Sequence, residues 1–175
     1  MNNTTNIPEV LHAYNIYNKG NVQVGVSGDV TLPNLEAMTE TLSGPGIAGE
    51  VEGVIAGFFK SMELEIPWAV IYGNFYDSLD FAKNTELMLR GSIQTENKGD
   101  GSIKEVPCRV VVRGKTKKAE FGKFTQGAKN ENKTTTEVTY LKVEVDGETK
   151  AEIDKFNFVC NINGVDLLAA VRANI

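Results

Sequence analysis

The chain has 175 residues, 41% of them hydrophobic and 23% charged, with a formal net charge of −5. That length can bury one sizeable core, and the acidic balance argues against specific nucleic-acid binding. The longest apolar run near the middle, Val54 to Phe59, falls far short of the roughly 20 residues a membrane helix needs, so no stable membrane insertion is expected.

From the N-terminus, Met1 to Asn6 is rich in Asn and Thr and has neither a basic n-region nor an apolar h-region, which points to synthesis in the cytoplasm. Residues 1–9 are predicted to be a flexible tail, and 10–175 a single domain. Val10 to Asn18 alternates, Lys19-Gly20-Asn21 makes a turn, and Val22, Val24 and Val26 resume the period of two. Val30-Thr31-Leu32-Pro33 extends the β pattern, with Pro33 placing its end at an edge.

Between residues 34 and 57 the pattern loosens. Leu35, Met38 and Leu42 have helix-like spacing, but Thr39 and Thr41 favour extended chain and Ser43-Gly44-Pro45-Gly46 ends any regular element. Gly44, Gly46, Gly49 and Gly53 are interleaved with Ile47, Val51 and Val54. An apolar, glycine-rich excursion of this length needs something to cover it, so it is predicted to be an arm that docks on a neighbouring subunit. Gly44 to Gly49 also matches the spacing of a dinucleotide-binding loop. No buried strand precedes it and no good helix start follows, so the match is read as chance and no cofactor is expected.

Phe59 to Ile66 alternates again, with Met62, Leu64 and Ile66 on a dry face and Ser61, Glu63 and Glu65 on a wet one. The two carboxylates are read as a solvated pair rather than a catalytic one. A core helix of about ten residues is predicted from Pro67, because Trp68, Ile71, Tyr72, Phe75 and Tyr76 form an aromatic stripe at helical spacing.

Three further strands have clear faces. In Glu86 to Glu96, Leu87, Leu89 and Ile93 oppose Arg90, Ser92 and Gln94, and the turn is Asn97 to Gly101. In Val106 to Lys117, Val106, Cys108, Val110 and Val112 oppose Arg109, Arg113, Lys115 and Lys117. In the last hairpin, turned by Asp146-Gly147, Leu141, Val143 and Val145 oppose Lys142, Glu144 and Asp146. The return strand changes parity: Ala151 and Ile153 are apolar before Asp154-Lys155, and Phe156, Phe158, Cys160 and Ile162 after it. A bulge or sharp bend there would keep both rows inside. A short terminal helix carrying Val165, Leu168 and Val171 is predicted to begin near Asn163-Gly164.

Cys108 and Cys160 lie in apolar rows and are read as buried free thiols. His12 is the only histidine, so no zinc-ligand pattern forms. Lys118 joins the basic row of Arg109, Arg113, Lys115 and Lys117. Without interleaved aromatics it reads as a solvated face, or one that meets an acidic row on a neighbour.

Several words occur in a shared order: Val30-Thr31-Leu32-Pro33-Asn34-Leu35 with Glu36, Ser43 to Gly49, Val112-Arg113-Gly114 with Lys117-Lys118, and Gln126-Gly127. Thr139 to Gly147, Glu152-Ile153-Asp154 and Asn161 to Leu167 complete the set. In these the chain resembles the major tail tube proteins of contractile-tailed phages and R-type tailocins. It departs from that pattern at its end, Asn174-Ile175, where the family continues with Gly-Leu.

The resemblance implies a mainly β fold, a barrel or sandwich with one core helix and a short C-terminal helix. It implies six-subunit rings stacked into a hollow tube, with strands joined across subunits into one tube-lining barrel. It further implies a structural role without enzymatic activity, a sheath outside the tube, baseplate and terminator proteins at its ends, and a mature location in the virion or tailocin tail. Leu35, Met38, Leu42, Gly44, Gly46, Ile47, Gly49 and Val51 would then form the subunit-interface arm, and Arg90, Ser92, Gln94, Lys142 and Glu144 a lumen face.

Six copies at −5 each would give a ring of −30, suited to DNA passage without specific binding if the acidic groups face the lumen. Two alternatives stand beside this reading: the tube of a type VI secretion or extracellular injection system, and a monomeric β-barrel binding module.

Overall fold

The alternating segments of the sequence become the long strands of one sheet. The structure, a computed structural model, describes residues 6–175. Its strands are β1 (Asn6–Asn18), β2 (Asn21–Val22), β3 (Ala37–Leu42), β4 (Val51–Phe59), β5 (Glu63–Trp68), β6 (Thr85–Asn97), β7 (Ile103–Glu120), β8 (Asn132–Val145), β9 (Glu148–Asp154), β10 (Val159–Ile162) and β11 (Val165–Asp166). Two short helices are α1 (Asn74–Asp77) and α2 (Ala169–Asn174). The fold is thus mainly β. Strand β1 begins at Asn6, inside the expected tail; the rest of that tail, Met1 to Thr5, lies outside the described residues.

The main sheet runs β11-β10-β9-β8-β7-β6-β1-β2, all neighbours antiparallel, and β8 branches. Its first half, Asn132 to Glu137, pairs β5, while Tyr140 to Val145 pairs β9. The irregular segment after β2 lies along the other edge of β5, with Thr31 and Glu65 exchanging backbone hydrogen bonds of 3.0 Å, and Gln23 N–H reaches back to Ile16 O at 2.7 Å. These bonds bring the chain round from β1 through β6, β7, β8 and β5 to the end of β1 again, a barrel-like closure.

Inside lie Met62, Leu64, Ile66, Trp68, Leu87, Val112, Val138 and Leu141, all buried. The branch needs a change of parity in β8, where Val138 and Leu141 both face inward. A register shift opposite Arg113 and Gly114 supplies it. Only glycine fits at 114, because a Cβ there would sit 1.9 Å from the Glu137 carbonyl oxygen.

The structure corrects the expected core helix. Pro67 and Trp68 complete β5, and α1 is a single turn in which only Phe75 is buried. Trp68 continues the alternation of Leu64 and Ile66, and its indole N–H donates to Thr134 Oγ1 at 3.0 Å. Its ring meets Phe75 edge-on, 6.3 Å between centroids. Tyr72, assigned to the same stripe, is 81% exposed. Asn, Tyr and Asp are weak helix formers, and the tertiary pairing of β5 with β8 decides the conformation.

At the C-terminus the parity change is resolved by a reversal. Residues 155–158 turn β9 back into β10, and Phe156 at the turn is 74% exposed instead of lining the core. Asn163 and Gly164 both have positive φ, 51° and 81°, as do Asp146 and Gly147, 53° and 78°. Both pairs therefore make two-residue hairpins. Asn163-Gly164 joins β10 to β11, and α2 starts later, at Ala169. Leu168 and Cys160 are buried there, and Val171 packs against the same core.

Residues 34–57 contain more structure than the expected loose arm. β3 and β4 form a two-stranded hairpin that, among the described residues, hydrogen-bonds to no other strand. Its base is anchored: Phe58 meets Phe158 edge-on, and Gly57 lies against the Leu168 side chain.

Candidate functional site

Two surfaces stand out, the outward face of the long sheet and the free hairpin. Strand register places Arg90 opposite Arg109 and Arg109 opposite Glu144; one step along, Met88, Val111, Lys142 and Glu152 align; the next step holds Glu86, Arg113, Tyr140 and Asp154. Period two puts Ser92 and Gln94 on the same face as Arg90. The five residues Arg90, Ser92, Gln94, Lys142 and Glu144 are therefore brought onto one face spanning three strands.

Within it the charges are paired. Glu144 binds the Arg109 guanidinium and, at 2.9 Å, Lys142 Nζ. Those two contacts, Lys142 first, hold the Glu144 carboxyl below its usual range, and Glu144 in turn raises Lys142. Tyr140 O–H donates to Glu152 Oε1 at 2.9 Å, and the Arg113 guanidinium lies 3.8 Å above the Tyr140 ring. Burial, then Glu152, pushes the Tyr140 hydroxyl up. On β1, Tyr17 lies beneath Arg90 at 4.9 Å. Further along, Gln94 donates to Glu9 Oε2 at 2.7 Å, and Glu105 accepts from Ser92 and pairs with His12 Nδ1 at 2.9 Å.

Tyr17, His12, Glu105, Tyr140 and Glu152 were not assigned to this face from the sequence. Their pairings cross strands and depend on register, which no local pattern prints. The basic row of β7 is largely neutralised within the chain: Arg109 by Glu144, Lys117 by Glu63 and Glu137, and Lys118 by Glu120. The expected carboxylate pair Glu63 and Glu65 holds Lys117 and Lys133.

A sign follows for acid. Because the Glu144 carboxyl is depressed in the folded chain, its contribution is present above the unfolded value and is lost as pH falls through the folded one. Glu144→Gln is expected to lower the urea midpoint at pH 7. The difference from the parent should shrink in denaturation series below about pH 4.

On the hairpin, Leu42 pairs with Val51 and its side chain lies flat over Gly53, where a Cβ would come within 2.9 Å of Leu42 Cδ1. Leu42 is 50% exposed, Val51 54% and Ile47, in the connecting loop, 41%. Leu35 and Met38 are exposed as well, and Gly44, Gly46 and Gly49 take positive φ in the loop. The eight arm residues thus belong to one projecting hairpin and its approach.

These surfaces, a paired polar face on long strands and an apolar projection, belong to a structural building block. The match of the family model for phage tail tube protein FII to residues 8–175 makes the class specific. The chain is also 30% identical over 176 residues to the tail tube protein of Escherichia phage P2, covering 97% of this chain and 98% of that protein. It therefore belongs to the phage tail tube family, structural virion proteins that assemble into a tube and are not enzymes.

Proposed function

We propose that this chain is the inner tube subunit of a contractile particle, a phage tail or an R-type bacteriocin, in which six copies form a ring and rings stack into a rigid conduit. Residues 10–175 act as one tube-building unit. The face bearing Arg90, Ser92, Gln94, Lys142 and Glu144 lines the lumen, and residues 34–57 bridge subunits. The sheath surrounds the tube, baseplate and terminator proteins close its ends, and the subunit is made in the bacterial cytoplasm before joining the particle. Sheath contraction drives the tube through the target envelope.

The observation that supports this most is the pairing of a charge-bearing sheet face with an open sheet edge. From Asn6 to Asn15, β1 has a strand partner on one side only among the described residues, β6, and the opposite end of the sheet is the two-residue β11. A free edge of that length favours strand addition from an identical neighbour, which would extend the polar face from copy to copy around a water-filled channel. Paired charges of both signs make a hydrated wall with weak net attraction for a passing polyanion. Electron microscopy of the purified chain tests the reading. Hollow tubes are expected at high concentration, and a species that stays monomeric under every condition would refute it.

A further inference from the structure

The long strands outrun the layer that covers them. At the end of the barrel nearer the Asn97 to Gly101 turn, the inward face of β6 and β7 is left as an apolar crevice lined by Leu11, Tyr14, Val30, Leu32, Leu89 and Cys108. Its chief polar group is already satisfied, since Tyr14 O–H donates to Gly28 O at 3.2 Å. We propose that this crevice receives the hairpin tip of a second copy, with Leu42, Ile47 and Val51 seated against Leu11, Leu32 and Cys108. This rests on the reading of residues 34–57 as an inter-subunit arm, and names the surface that arm meets.

Three observations select a second copy as the occupant. Family membership puts identical chains side by side, and the tip is an apolar projection that its own barrel leaves uncovered. Knob and hole lie on different parts of one chain, so each copy can fill one neighbour and be filled by another, the heterologous arrangement that an extended tube of identical subunits requires.

Charge agrees. Glu40, Glu50 and Glu52 flank the tip, and none forms an ion pair among the described residues. Lys104, opposite Thr95, stands two positions beyond Val106 on the crevice face and is likewise without an ion pair among the described residues. Strands of this length also give reach: six residues of β3 at about 3.3 Å each carry the tip some 20 Å from its base.

Cys108 supplies a native reporter, because it lines the crevice while Cys160 is fully buried. Ile47→Cys, assembled into tubes that microscopy verifies and then oxidised with diamide, is expected to give a ladder of disulfide-linked oligomers on non-reducing gels. The ladder should vanish with Cys108→Ser, since the bond needs Cα atoms within about 4.4–6.8 Å.

Verified tubes without a ladder, a ladder that survives Cys108→Ser, or a cross-linked species that runs as a monomer would each overturn the pairing while leaving the tube reading intact. Failure of the parent chain to form any polymer would defeat the tube reading and the pairing with it. As a second variant, Leu32→Glu sets a carboxylate in the crevice facing the acidic hairpin. It should raise the concentration for half-assembly at least about tenfold with the monomer's β circular dichroism unchanged, and unaltered assembly would contradict the proposal.

Discussion

Replacing both Ile47 and Val51 with Asp should leave a folded monomer that no longer polymerises. Both side chains are about half exposed, and among the described residues the hairpin that carries them pairs only with itself, so neither change removes a contact from the barrel core. Burying the exposed half of each side chain in an assembly contributes roughly 0.7–1.5 kcal/mol, and two lost together weaken one subunit contact by about 10- to 10²-fold. A buried carboxylate without a partner adds a further desolvation cost. The measurement pairs circular dichroism with sedimentation: an unchanged β spectrum and thermal midpoint, with material that stays at monomer size. Loss of folding instead would place these residues in the subunit's own core.

Trp68→Ala should have the opposite signature, with stability lost before assembly is reached. Trp68 is 2% exposed at the end of β5, held by Thr134 and packed edge-on against Phe75, which in turn meets Phe121 at 5.5 Å. Truncating a buried Trp costs about 3–5 kcal/mol through lost transfer energy and the cavity left behind. Thr134, 1% exposed, also loses the donor to its hydroxyl oxygen. Urea denaturation would check this. A fall of 3–5 kcal/mol in unfolding free energy is expected, whereas a change under about 1 kcal/mol would mean that the β5 to α1 corner is not part of the cooperative core.

Trp68 also shows where the sequence was ambiguous. It continues the period-two row of Leu64 and Ile66, yet it begins an equally regular helical stripe with Ile71, Tyr72 and Phe75. Pro67 suits a helix start as well as a strand beside an irregular segment. The choice is made by β8, whose Thr134 and Thr136 lie opposite Ile66 and Leu64, partners 68 and 72 residues away. β6, β7 and β8 were legible because each has one dry and one wet row, and burial follows those rows at Leu87, Leu89, Val110, Val112 and Leu141.

The β3–β4 hairpin was harder to see. Most of its residues are exposed on both faces, so no alternation marks it, and Thr39 and Thr41 were the surviving signal. At the C-terminus a parity change announces that something must happen, and period alone does not separate a bulge from a reversal. The five residues expected on a polar face were found together because parity fixes a face from sequence. Their ion partners and the aromatic shelves under Arg90 and Arg113 come from register, which is a property of the folded sheet.

In the proposed assembly, copies of this chain build a hollow tube around the polar sheet face. Electron microscopy of the purified chain, with cross-sections averaged, tests it most directly. Stacked six-fold rings about an open channel are expected, with the strands bearing Arg90, Lys142 and Glu144 innermost. A strictly monomeric species at every concentration, or a polymer whose channel is lined by another face, would contradict it.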